Sequence, residues 1–200
     1  MSFAETITVR VHNAAVAHAA VIAEGKRGAS RIFERVGIAV RWADCSRGDP
    51  GRVSSQICEE TYEATRFTVV IDDGFVNAPI EDTALGFALP FLAGRNHAAV
   101  LYPRIRQLTA QNHDLMDCGS LLGVVLTHEI AHLLFGSMRH GTGIMRANWT
   151  RGDFKSIGQR RFSFTPKQGA DLRAGLRSRY SGSSVNLDDA PLGISLLRRK

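Results

Sequence analysis

The sequence predicts an α/β fold, in which a twisted mixed sheet of about five strands is backed by one helix and adjoins a second, buried helix. Three observations predict this fold. Short apolar runs of strand length recur along the first half of the chain. An Ala-rich segment of helical length separates the first two runs, as in a strand–helix–strand unit. A long apolar segment that carries two histidines and a glutamate follows the last run.

The first three elements form a strand–helix–strand unit. Residues 6–12 alternate with period two, which is typical of a half-buried strand. Residues 14–36 predict a long helix that Gly25 and Gly28 weaken and could break. After Gly37, residues 38–42 predict a second strand, and the intervening helix favours a parallel pair. The helix positions expected to face inward are Val16, Ala20, Ile32, Phe33 and Val36.

Three further strands and two helices complete the prediction. The strands are residues 67–71, 84–89 and 98–102. The buried helix begins between Asn112 and Gly119 and ends at Gly136, since glycine readily adopts the left-handed cap conformation. A last helix starts at Thr165-Pro166 and runs to about Tyr180, packing its inward face against the domain. The residues expected on that face are Leu172, Leu176 and Ala170.

The chain is long enough for one domain with a core of its own. We expect a single domain over residues 1–180, with an N-terminal subdomain 1–136 and a small C-terminal subdomain 137–180 that has one helix. Residues 181–200 are rich in small and polar residues, which predicts a loosely held tail. No stretch is expected to span a membrane.

The motif His128-Glu129-Ile130-Ala131-His132 carries the chemistry. Residues four apart lie on one face of a helix, so His128 and His132 can bind a single metal ion. Glu129 is one step round the helix, where it can act as general base toward a water without being a ligand. The neighbouring residues are apolar over most of the helix, so the motif is expected to be buried. The alternative is two core histidines satisfied by hydrogen bonds alone.

A third ligand is expected beyond the helix. After Gly136 the chain can turn back and bring His140 to the metal, and Gly141-Thr142-Gly143 predicts a tight turn before Met145. Alternatively, His140 is a solvated loop residue and a carboxylate such as Asp153 completes the site. Met145 is expected to pack under the site and not to bind metal.

This segment resembles the metzincin branch of the zincin metallopeptidases, whose pattern is HExxHxxGxxH followed by a methionine-containing turn. This chain reads HEIAHLLFGSMRH and then GTGIM. Relative to that pattern, the glycine lies one position later, at Gly136, and the third histidine two positions later, at His140, with Met138 at the expected position. The methionine follows the third histidine more closely than in most of the family. The stretch from Gly136 to Trp149 is also similar to that of small, uncharacterised secreted bacterial zincin-like proteins. The resemblance covers about residues 119–149.

The resemblance implies a zincin-like α+β domain that binds one Zn²⁺ through His128, His132 and His140. Glu129 would act as general base and acid in peptide-bond hydrolysis, and the protein would be an endopeptidase. In that fold an antiparallel edge strand borders the cleft and can pair with a peptide substrate. Residues 84–89 are the candidate edge, although they could form an internal strand. The candidate cleft residues are Leu85, Gly86, Phe87 and Trp149, with Arg146 nearby, and the alternative for Trp149 is a core tryptophan.

Other functions remain open at this point. A zinc amidase or deacylase acting on a non-peptide amide would have a closed small pocket. A DNA-associated HExxH protein is suggested by the net charge of +6 alone, but the basic residues are scattered, so no specific nucleic acid is expected. A catalytically silent zincin-fold binding protein is a further alternative. The expected partner is a peptide or protein substrate, and the expected oligomeric state is a monomer.

The three cysteines indicate the compartment. Cys45 and Cys58 flank a loop rich in turn-forming residues, and a disulfide closing it would contribute roughly 3 kcal/mol. Such a bond predicts a secreted or periplasmic protein, although three reduced cysteines in a cytoplasmic one are not excluded. Cys118 is left over and is expected to be a thiol. The chain begins almost directly in a strand, and no signal peptide is evident.

Overall fold

Among the residues that the structure describes, the fold is built on a five-stranded mixed sheet. A computed structural model describes residues 5–45, 58, 65–74, 84–90 and 96–180. The predicted loop 46–57 and tail 181–200 lie outside these residues. The strands lie in the order β2-β1-β3-β5-β4, and β4, which is antiparallel to β5, forms one edge. The other pairs are parallel. The strands are β1 Glu5–Asn13, β2 Ile38–Asp44, β3 Arg66–Asp72, β4 Gly86–Leu89 and β5 His97–Leu101.

Within the described residues five α-helices accompany the sheet. They are α1 Ala19–Glu34, α2 Tyr102–Gln111, α3 Cys118–Phe135, α4 Arg151–Gly158 and α5 Pro166–Tyr180. A 3₁₀ turn, Gly143–Met145, lies between α3 and α4. The buried apolar residues of α1, α3 and the sheet belong to one continuous core. The predicted α/β class, with a backing helix and a buried motif helix, is therefore confirmed.

Glycines allow α1 and α3 to pack closely. A Cβ on Gly25 would lie 2.8 Å from Cγ of Leu122, and a Cβ on Gly123 would lie 2.8 Å from the carbonyl oxygen of Gly25. The same Cβ on Gly123 would lie 3.2 Å from Cα of Gly28. Gly25 and Gly28 were expected to weaken α1, but the helix is continuous through both. The close packing of the two helices offsets the conformational cost of glycine.

The start of α1 differs from the prediction. The side chain of Asn13 accepts a hydrogen bond from the Ala17 amide and donates one to the Ala17 carbonyl, both at 2.9 Å, and this turn delays the helix to Ala19. As a result Val16 is 87% exposed and has a φ of 50°, and Ala20 is also exposed. The remaining predicted inward positions are buried: Ile32, Phe33 and Val36.

Helix α3 is the centre of the core. It begins at Cys118, where Asp117 accepts a hydrogen bond from the Ser120 amide at 2.8 Å, and it ends at Gly136 with a φ of 59°. Both ends agree with the prediction. Of the helices in the described ranges, α3 alone is long and apolar enough to cross a membrane by those two criteria, although no such stretch was expected from the sequence. Most of α3 is buried inside the protein, as in the core helix of a globular domain.

The C-terminal part contains two helices rather than the one predicted. Helix α4 is short and polar, so its hydrophobic pattern is weak. It is held by a capping box, in which Thr150 and Asp153 bond each other's backbone amides. Helix α5 starts and ends as predicted, with Leu172 and Leu176 fully buried. Ala170 is exposed, and Gly169 occupies the buried position instead.

Helix α2 was also not predicted. It directly follows β5 and begins with Tyr102-Pro103, where proline is favourable in the first helical turn. Elsewhere, Cys45 and Cys58 form the predicted disulfide, with their Cα atoms 5.6 Å apart, and Cys118 is a free thiol.

Candidate metal centre

The two motif histidines lie side by side on α3. One helical turn separates His128 from His132, and their Nε2 atoms are 3.0 Å apart. Both rings are buried, His132 to 1% exposure. The helix therefore presents two imidazole nitrogens at one point, as the spacing of the motif predicts.

Backbone carbonyls determine which nitrogen of each ring carries the proton. Nδ1 of His128 lies 2.7 Å from the carbonyl oxygen of Ile144, and Nδ1 of His132 lies 2.8 Å from that of Ser137. Because a carbonyl only accepts hydrogen bonds, each Nδ1 must be the donor. In the neutral rings both Nε2 atoms then carry lone pairs that face each other. A cation between them turns this repulsion into coordination, so the donor set fits a metal ion.

His140 completes the cluster from the loop that follows α3. Its ring centroid lies 5.4 Å from that of His128 and 5.1 Å from that of His132. One nitrogen from each of the three residues lies within 4.8 Å of the others. His140 is exposed, whereas the other two are buried, so the site is open on its side. The structure thus brings together the three predicted ligands.

Asp153, the alternative third ligand, has a different role. Its carboxylate caps α4 and accepts a hydrogen bond from Nη1 of Arg146 at 2.8 Å. The cluster able to hold a metal consists of histidines and does not include it. Arg146, expected beside the cleft, is therefore tied to α4 by this ion pair.

The turn around Met145 supports the cluster from the core side. Met145 is 3% exposed, and its carbonyl accepts a hydrogen bond from the Gly141 amide at 2.7 Å. Gly143 has a φ of 58°, a conformation that glycine adopts readily. Because Ile144 precedes Met145, the same turn supplies the carbonyl that binds His128. Met145 itself is a packing residue, as expected.

Glu129 follows His128 directly on α3 and is buried. Its side chain is 5% exposed, and burial raises the pKa of Glu129 to about 8. Burial also lowers the pKa of His128 to about 4 and lowers the pKa of His132. Without a cation, the buried site therefore favours a neutral carboxyl and neutral imidazoles. Neutral imidazoles are the form that binds a metal.

The predicted edge strand borders this site. Among the residues that the structure describes, β4 is the edge of the sheet, as expected for residues 84–89. The carbonyl of Leu85 accepts a hydrogen bond from the Leu101 amide at 2.8 Å, and that of Ala84 accepts one from Nη1 of Arg104 at 2.7 Å. Leu85, Gly86 and Phe87 are all half-buried. Of these three, Gly86 lies with its Cα against Glu129.

Trp149 packs against His128 of the cluster. Its ring meets that of His128 edge to face at a centroid distance of 5.8 Å, and that of Phe162 at 6.0 Å. Such contacts restrict the orientation of the imidazole. Trp149 therefore borders the site, although its ring also belongs to the packing around Phe162.

Some functional features were not visible in the sequence. The carbonyls of Ile144 and Ser137 act through backbone atoms, which no residue pattern reveals. The contact of Gly86 with Glu129 joins residues that are far apart in the chain. Glycine within a predicted strand often indicates that another group approaches the backbone closely. The position of Gly86 in the predicted strand 84–89 could therefore have indicated this contact.

Comparison with known proteins bears on the fold. No known protein-family model matches the sequence, and a search of the curated proteins finds no match. The structure is similar to a zinc-dependent peptidase from Methanocorpusculum labreanum, with a TM-score of 0.53 and 16% identity over 82% of this chain and 99% of that one. It also matches archaemetzincin from Methanopyrus kandleri, with a TM-score of 0.49 and 16% identity over 86% and 96% of the two chains. The first similarity shows that the fold is zincin-like.

Proposed function

We propose that this protein is a zinc-dependent metallopeptidase. The observation that carries the proposal is the convergence of three histidines beside the buried Glu129, next to an antiparallel edge strand. The fold shared with a solved zinc-dependent peptidase supports it.

The proposed ligands of zinc are His128, His132 and His140. Imidazole nitrogens suit Zn²⁺, and three protein ligands leave one coordination position open, as in catalytic zinc sites. The carbonyls of Ile144 and Ser137 hold two of the rings with Nε2 free. When bound, zinc supplies an electrophile that acidifies water and polarises a carbonyl group.

The proposed substrate is a peptide bound as an additional strand. Because Leu85 offers its carbonyl to β5, the alternation of an antiparallel ladder turns the backbone groups of Gly86 and Ala88 toward the free edge. A peptide chain can pair with these groups without regard to its side chains. This arrangement favours a peptidase that cleaves within a chain.

Glu129 is the proposed general base. Its carboxylate accepts a proton from the attacking water and then donates it to the amine that leaves. The helix places Glu129 one residue from His128, so the base and two of the three proposed ligands are held by a single rigid element. Trp149 is the proposed wall of the cleft on the side of the Met145 turn.

An amidase or deacylase for small amides is less well supported. Such an enzyme encloses its substrate, whereas here the third histidine is exposed and an edge strand borders the site. The Cys45–Cys58 disulfide supports the further proposal of a secreted or periplasmic location.

The test is metal analysis together with a cleavage assay. The purified protein should bind about one zinc per chain and cleave a pool of denatured proteins. Glu129→Gln should keep the zinc and lower the cleavage rate about 100- to 10,000-fold. Glu34→Gln, which alters an exposed glutamate on α1, is the matched control and should leave both unchanged. A protein that binds zinc but cleaves no peptide would contradict the peptidase proposal.

A further inference from the structure

We propose that Gly86 is a positioning residue for Glu129, because the carboxylate of Glu129 occupies the space that a side chain at position 86 would fill. This inference rests on the proposed function, in which Glu129 is the base. It concerns a contact between the edge strand and α3, which are far apart in sequence.

The distances define the contact. A Cβ on Gly86 would lie 2.9 Å from Oε1 of Glu129 and 3.0 Å from its Cγ. Separations this short force one of the two groups to move. The same Cβ would lie 2.7 Å from the carbonyl oxygen of Ala99 on β5. The carboxylate therefore sits directly over the α-carbon of Gly86.

Backbone conformation does not explain the glycine. The glycines of the chain with positive φ are Gly37, Gly74, Gly136 and Gly143 among the described residues, and Gly86 is not one of them. Any residue can adopt its extended conformation. Ala88, the next residue on the same face of β4, is buried and carries a methyl group. The requirement at position 86 is therefore space rather than flexibility.

The consequence is a link between substrate binding and proton transfer. Gly86 presents its backbone groups to the free edge, where a peptide would pair, while its α-carbon lies against the base. The missing side chain thus brings the carboxylate within reach of a chain bound at the edge. A methyl group at position 86 would push Glu129 away from the reacting atoms, and misplacement by about 1 Å can lower a rate about 100-fold.

A double-mutant cycle tests the contact without relying on activity. Gly86→Ala is made in the zinc-loaded parent and in Glu129→Ala, and the Tm of all four proteins is measured. We expect Gly86→Ala to lower the Tm in both backgrounds, because the carbonyl oxygen of Ala99 is present in both, and to lower it by several degrees more in the parent, where Glu129 is also present. If Gly86→Ala fails to fold, recovery of folding in the Glu129→Ala background supports the proposal. Equal loss in both backgrounds would assign the clash to Ala99 and overturn it.

Kinetics test the catalytic consequence. In Gly86→Ala with a full complement of zinc, we expect kcat to fall about 10- to 100-fold. Gly152→Ala, whose added Cβ makes only an ordinary contact of 3.6 Å, is the matched control. An unchanged kcat in Gly86→Ala would overturn the proposal. A parent protein without peptidase activity would instead refute the proposed function, and the Tm cycle would still decide whether Glu129 fills the space.

Discussion

The candidate site has two halves that differ in how they are held. The helix half, with His128, Glu129 and His132, lies on one buried turn of α3 inside the core. The loop half, with His140 and the Met145 turn, begins after the helix ends at Gly136, and its histidine is exposed. The two halves meet only because the chain reverses at that glycine.

The difference shows how a rigid element and a turn share one site. The helix half is ordered by packing, so its side chains lose little freedom when they bind a ligand. The loop half must order an exposed imidazole. Hydrogen bonds cross between the halves, because the carbonyls of Ile144 and Ser137 orient His128 and His132. The loop half therefore also determines how well the helix half binds.

The largest expected effect is a difference in zinc affinity between a variant of the helix half and a variant of the loop half. His128→Ala removes an oriented, buried ligand and should lower zinc affinity by several orders of magnitude. His140→Ala should lower it less, because ordering its exposed ring offsets part of the binding energy. Zinc titration against a competing chelator measures both. Equal losses in the two variants would show that the loop half is as well ordered as the helix half.

The second prediction concerns how the free energy of unfolding of the metal-free protein depends on pH through residues of the helix half. Because the pKa of Glu129 is raised to about 8, its folded form keeps a proton that the unfolded chain loses above its ordinary value of 4.5. Stability should therefore fall as the pH rises toward 8, by about 1.4 kcal/mol per pH unit. His128 acts in the opposite direction, since its lowered pKa costs stability as the pH falls from 6.5 toward 4.

The informative window is therefore between pH 6.5 and 8, where Glu129 acts without His128. In chelator-treated protein, urea unfolding should show a loss of roughly 1 kcal/mol across this window, because the slope flattens as the pH reaches the pKa of Glu129. Glu129→Gln should abolish the loss, because glutamine does not ionise. The same slope in the parent and in the variant would show that another group is responsible.

The third prediction concerns the Cys45–Cys58 disulfide, which contributes no residue to either half of the site. Reducing the Cys45–Cys58 bond should lower the free energy of unfolding by roughly 3 kcal/mol. Zinc affinity should not change, since neither cysteine belongs to the histidine cluster. Urea unfolding and zinc titration with and without reductant measure the two quantities. A drop in zinc affinity on reduction would show that the two regions are coupled.

The smallest expected effect is that of a substitution at Gly136, where the helix half ends and the loop half begins. Gly136→Ala places a methyl group at a φ of 59° in otherwise open space, so only backbone strain changes. The expected cost is about 1 kcal/mol of stability. Zinc affinity should fall with it, because Ser137, which orients His132, follows directly. Gly152→Ala, whose added Cβ makes only an ordinary contact of 3.6 Å, is the control and should leave zinc affinity unchanged.

Patterns within one element led to correct predictions. The period of β1 and the strands after it predicted the sheet, and apolar content around the motif predicted a buried α3 that ends at Gly136. Short polar elements were missed, as α4 shows, because a capping box rather than an apolar face holds it. The predicted start of α1 at residue 14 was wrong, because the side chain of Asn13 forms a turn with Ala17 and the helix begins only at Ala19.

The sequence alone determined the helix half of the site, because helical geometry places His128 and His132 on one face whatever surrounds them. Only the tertiary structure decided the rest. It brought His140 to the pair, engaged Asp153 as a helix cap, turned two carbonyls onto the imidazoles and set Gly86 against Glu129. These contacts join atoms from separate elements, and their distances depend on how those elements pack rather than on any local period.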